Sequence, residues 1–163
     1  MTLMNAPQYN AGRERRKIAL LVAAGVLIVL TIVIGMGGFF AGHGWFFSNL
    51  PAEHRVDSFF KALEAKDYER AYAIYWNDDN WIQHPQKYDS YTLQRFTEDW
   101  TTESPVGGPI RSHHVDISKT AGEGAFGSNV IVAVRVNGDN KLFMTYERKD
   151  GTLVYPAPYQ LQY

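Results

Sequence analysis

This sequence predicts an α+β fold, set behind one helix long enough to cross a membrane. Three observations lead there. The stretch from Ile18 to Phe40 carries no charge, and Thr31 is its one polar side chain. Between Val56 and Trp100, apolar residues recur three and four apart, the spacing of a helix with one buried face. After Gly108 they fall at alternate positions, the period of a strand.

Residues 1–12 are polar, and no order is expected of them. Residues 1–17 form a basic tail in which Arg13, Arg15, Arg16 and Lys17 stand against Glu14. Residues 18–40 reach roughly 34 Å as a helix, enough for the hydrocarbon core of a bilayer. A cleaved signal peptide has a shorter apolar region ending in a small-x-small site, and Gly42-His43-Gly44 is a poor substitute for one. The expectation is therefore an uncleaved anchor whose first partner is the lipid bilayer. Basic residues before a span stay cytoplasmic, and Trp45 with Phe46 and Phe47 suits the opposite interface. That places the C-terminal domain on the periplasmic or extracellular side of the cell (inner or plasma) membrane. Gly38 and Gly42 have the GxxxG spacing that permits close helix approach, although glycines are common at the end of a span.

Residues 41–52 read as a juxtamembrane linker and 53–163 as the outer domain, with helical pattern from Pro51. Val56, Phe59, Phe60 and Leu63 form one apolar stripe. Lys61, Glu64, Lys66, Glu69 and Arg70 then fall on solvent-facing sides, as a charged surface without convergent acids. Asp67 is placed to cap a second helix from Tyr68 to about Trp76, which the run Asn77–Asn80 ends. Ser90 is placed to cap a third, with Leu93, Phe96 and Trp100 on one side. Beyond SPVGGP, the strand pattern puts His113, Val115 and Ile117 on one face. It puts Val130, Val132, Val134 and Val136 on one face of the next strand, with Ile131, Ala133 and Arg135 on the other. Asn137-Gly138 is a hairpin signal, because a type I′ turn needs positive φ at both central residues. A returning strand, a second turn at Asp150-Gly151 and a short last strand complete an antiparallel meander.

Composition excludes several functions. The net charge of −1 divides into +3 before residue 18 and −4 from Glu53 onward, so the domain lacks the basic stripe that nucleic acid requires. Cysteine is absent, which removes disulfides, thiolate catalysis and zinc–cysteine sites. His113 and His114, adjacent on a strand, point to opposite faces and cannot share a metal ion; one packed and one solvent-facing is the expectation. Neither a metal nor any other cofactor is expected. GAFGSN (residues 124–129) has glycines but is expected neither to follow a strand nor to open a helix, so it is not a phosphate loop. Tyr72, Tyr75, Trp76 and Trp81 could line a ligand pocket, although aromatic residues at helical spacing usually form core. His84 could act as a base near neutral pH, but only beside a partner, and Asp78, Asp79 and Asp89 read as turn or cap residues.

The segment FFKALEAKDYERAYAIYW (Phe59–Trp76) resembles the opening of the nuclear transport factor two-like, or cystatin-like, superfamily, whose pattern runs F-x-x-A-L-x-x-x-D-x-x-x-A-x-x-x-(Y/F). WIQHP followed by YTLQRF is similar to a segment of its polyketide-cyclase-like branch, and GGPIRSHHVDIS looks more like its membrane-anchored bacterial envelope branch. The likeness covers roughly Glu53 to Tyr155. It implies a cone-shaped domain of about three helices on a curved antiparallel sheet, with His84 at a pocket-side position. The superfamily divides into cone enzymes, such as ketosteroid-isomerase-like members, and non-catalytic anchored domains. The layout here resembles the second, which implies a binding or interaction module whose partners are envelope proteins or further copies of itself. The other reading is a small-molecule enzyme or carrier that uses the cone cavity.

Overall fold

A computed structural model describes residues 10–124 and 127–163. The expected disorder of residues 1–12 falls mostly outside them; Asn10, within them, caps a helix by accepting from the Arg13 amide at 3.0 Å. That helix, α1 (Ala11–Phe40), takes in the basic cluster as well as the apolar stretch and is about 45 Å long. It is long and apolar enough to cross a membrane, and its leucines and isoleucines are exposed on every side.

Three shorter helices follow: α2 (Leu50–Glu64), α3 (Tyr68–Trp76) and α4 (Leu93–Asp99). Helix α2 starts at Leu50, inside the stretch read as linker, because Pro51 suits a first helical turn where no amide partner is needed. Val56, Phe59, Phe60 and Leu63 are all buried, as their spacing predicts. Asp67 caps α3 by accepting from the Arg70 amide at 3.0 Å, and Asn77 ends it in the left-handed conformation. Helix α4 is capped by Thr92, not Ser90. Ser90 and Tyr91 belong to a turn closed by the Tyr91 amide on the Tyr88 carbonyl, so the first extended residue able to cap is Thr92. Single 3-10 turns occupy Trp45–Phe47, Trp81–Gln83 and Pro85–Tyr88.

Four antiparallel strands form an open sheet in sequence order: β1 (His113–Ala121), β2 (Asn129–Val136), β3 (Asn140–Glu147) and β4 (Leu153–Val154). Val130, Val132, Val134 and Val136 are fully buried on the face that the helices cover. The predicted sharing of one face by Val115 and Ile117 is wrong. A bulge at Asp116 pairs Val115 with Val134 but Ile117 with Ala133, and the extra residue turns Ile117 to the opposite side. That opposite face is also covered: Ile131, Ala133 and Phe143 pack with Leu161 of the C-terminal segment, which the Ala157 amide ties to the Phe143 carbonyl at 2.9 Å. Asn137 and Gly138 make the hairpin turn with φ of 49° and 99°, and Asp139 extends the loop to three residues. GAFGSN follows a strand after all, since it joins β1 to β2; its residues 125–126 lie outside the described residues.

The linker is not a free tether. The Gly42 carbonyl accepts from the Ser118 amide at 2.8 Å, and the His43 Nδ1 contacts both oxygens of the buried Glu53 at 2.8 and 2.9 Å. Ser118 Oγ donates to the same Glu53 at 2.5 Å, so one carboxylate fastens linker, α2 and β1 together. Phe46 folds back onto Gly35, and Gly38 lies against the Gly44 carbonyl and the Phe47 amide, so closely that a Cβ there would stand 2.6 Å from either. The close approach allowed by Gly38 is thus used within the chain, and Gly42 packs on Ile117.

Candidate functional site

A half-open cavity of about 450 Å³ lies between α3, α4 and the chain just after β4. Tyr75 and Trp76 reach it from α3, and Tyr91 from the turn before α4. Trp100 and Tyr155 face it from the other side, with Asp99, Glu103 and Pro156 along its edge. Tyr75 lines it because α3 buries Ala71 and Tyr75 on one stripe; Trp76, one residue further round the helix, is only half-buried. Burial raises the hydroxyl pKa values of Tyr75, Tyr91 and Tyr155, and the Asp99 carboxylate raises that of Tyr91 further. All three phenols stay neutral through the physiological range.

The other sequence candidates lie elsewhere. Tyr72 is 1% exposed, and its hydroxyl donates to the Tyr91 carbonyl at 2.5 Å, which holds the cavity wall from behind. Trp81 packs edge-on against Tyr72 with ring centroids 5.0 Å apart and does not line the cavity. His84 stands at the surface, 52% exposed, with Asp78 at 3.9 Å. Asp78 is already held by the Tyr88 hydroxyl at 2.5 Å, and that bond keeps its carboxyl below the ordinary range. The pair does not line the aromatic cavity, so the pocket-side position implied for His84 by resemblance is not one on that cavity. Arg13, Arg15, Arg16 and Lys17 occupy the first turns of α1, and Trp45 stacks on Phe39 at 4.9 Å, where the apolar helix ends.

Acids do converge on α2, against expectation. His113, its side chain 6% exposed, meets Glu64 at 2.6 Å through Nδ1 and Asp57 at 3.2 Å through Nε2, and its ring stacks on Phe60. Burial alone would raise the pKa of Asp57, but hydrogen bonds from Lys61 and His113 outweigh it and hold the group below its ordinary value. His114 points outward, 69% exposed, as the alternation of a strand requires. The His113 cluster joins α2 to β1.

Sequence reasoning missed Tyr91, Asp99, Glu103 and Tyr155 as cavity residues and took Trp100 for core alone. Tyr155 is brought in from the far end of the domain, and no spacing along the chain marks that meeting. Pro156, one residue after Tyr155, is the nearest local signal that the strand stops there. No family model, curated protein or solved structure matches the chain.

Proposed function

We propose that this chain is a membrane-anchored, non-catalytic binding module, with α1 in the bilayer and the aromatic cavity as its ligand site. The cavity carries the reading. It has the volume and the lining, mostly rings with a few polar groups, of a small-molecule site. Its lining offers no imidazole, serine or lysine; the Tyr91 hydroxyl is paired with Asp99, but its raised pKa keeps it protonated, so it can donate to a ligand without being an activated nucleophile. This favours the carrier half of the small-molecule reading over a purely protein-facing surface, and it leaves the resemblance to the anchored, non-catalytic branch as a supporting likeness only.

Anchoring rests on α1. Among the described residues only the linker lies against its end, at Gly35, Gly38 and Phe39; the rest of its apolar surface is exposed, and a hydrocarbon solvent would remove the cost of exposing it to water. The basic cluster at its start orients the N-terminus to the cytoplasm and the domain to the other side. Self-association through Gly38 is not part of this reading, because the linker already lies against it.

The absence of cysteine makes the test clean. A single Tyr163→Cys variant in intact cells should react with a membrane-impermeant maleimide, and an Asn10→Cys variant should react only after lysis. The reverse pattern would overturn the orientation. Recovery of the protein in the soluble fraction after gentle lysis would overturn the anchor.

A further inference from the structure

We propose that the aromatic cavity binds a quaternary or methylated ammonium cation about the size of choline; this rests on the reading of the cavity as a ligand site. The rings set the first condition. Tyr75, Trp76 and Tyr91 form one wall, with centroids 5.4 to 6.5 Å apart, and Trp100 and Tyr155 form the other at 5.3 Å. The walls touch where the Tyr75 hydroxyl meets the Tyr155 backbone and the Tyr91 hydroxyl meets the Trp100 side chain. A cation seated in the open half of the cavity lies against aromatic surface, whose negative faces attract it. The neutral phenols add no charge of their own. The two cation–π pairs among the described residues lie elsewhere, with Lys87 over Tyr88 and Lys141 over Tyr163, and no lysine or arginine among the described residues lines the cavity.

Charge sets the second condition. Asp99 and Glu103 both line the cavity. Arg95, which does not line it, reaches Asp99 at 3.0 Å, Glu103 at 3.0 Å and Glu98 at 3.9 Å, so three carboxylates share one guanidinium. The local balance is negative, and neither Asp99 nor Glu103 has another cationic partner among the described residues. An anion would be repelled here. A neutral ligand would fill the space but strip water from the carboxylates without supplying a counter-charge. A metal ion or a primary ammonium would meet the same carboxylates, but each is strongly hydrated and must give up that water to lie against rings. A methylated ammonium has weak hydration, few or no hydrogen-bond donors and a diffuse positive surface, and it satisfies both conditions.

The experiment titrates the full-length protein in maltoside micelles by isothermal calorimetry. Three probes are compared: choline, its neutral carbon isostere 3,3-dimethylbutan-1-ol, and indole. Choline should bind roughly tenfold or more tightly than the isostere. Glu103→Gln should weaken choline about threefold or more and leave the isostere unchanged; Glu103 is 58% exposed, so the fold tolerates the change. Equal binding of choline and the isostere, or binding of indole without choline, overturns the cation and leaves the ligand site standing. Failure of all three probes, with an unchanged thermal melt, overturns the cation proposal and the ligand site together.

Discussion

Two aromatic clusters lie side by side in the outer domain, and only one of them is closed. Phe59, Phe60 and Phe96 are fully buried, and Trp100 meets all three with ring centroids 5.1 to 6.3 Å apart. The second cluster shares Trp100 but leaves a gap between it and the Tyr75–Trp76–Tyr91 wall. The closed cluster is built from rings without polar tips, on helices pressed directly onto the sheet. The open one is built largely from tyrosines, beside two carboxylates that gain by keeping water or a ligand near them. The same residue class therefore makes a core where the rings themselves carry no polar tips, and a cavity where the edge is charged.

The largest expected effect is on the closed side. Phe60→Ala should cost about 3–5 kcal/mol, because the fully buried ring it removes leaves a space between Phe59, Trp100 and His113. Tyr155→Ala removes a half-buried ring from the open side and should cost less than about 2 kcal/mol, while choline affinity falls at least severalfold. Denaturant melts of both variants in the full-length chain check this pair. If Tyr155→Ala proves the more costly, the two clusters are one core and the comparison is broken.

Gly138→Val tests the frame away from both clusters. A β-branched residue resists the positive φ at this turn, so a loss of about 1 kcal/mol or more is expected, with choline affinity unchanged. An unaltered melting temperature would show that the turn tolerates another conformation.

Acid should loosen the frame as well. Burial opposes the charge on Asp116, yet Arg135 at 2.7 Å and the Tyr163 hydroxyl at 2.6 Å more than compensate, and its pKa lies below the ordinary 3.8. A carboxyl depressed in the folded state contributes stability that is fully present above its unfolded pKa and is lost as pH falls through the folded one. Asp57 acts in the same sense. Stability should therefore decline from about pH 5 downward, and Asp116→Asn should flatten that decline. A variant with an unchanged acid limb would remove Asp116 from the account.

The smallest effect is expected at His84→Ala, within about 0.5 kcal/mol and without change in choline binding, because the side chain is exposed and does not line the aromatic cavity. Loss of binding in a folded His84→Ala protein would move the site.

Local pattern determined a good deal. The apolar stretch, the buried stripe of α2, the Asp67 cap, the limits of α3, the valine face of β2 and the Asn137-Gly138 turn each depend on residues within one or two turns of one another, and all were legible. The faces of β1 were not, because one extra residue at Asp116 reverses everything after it, and nothing in HHVDI marks a bulge. The acids on α2 looked solvent-facing because His113, their partner, arrives from β1, 49 and 56 residues away. The linker looked free because the groups it docks on, Ser118 and Glu53, become neighbours only after the sheet has formed. The cavity required most from tertiary structure. It is a space between α3, α4 and the end of β4, and a sequence encodes the rings of such a place without encoding the distance between them.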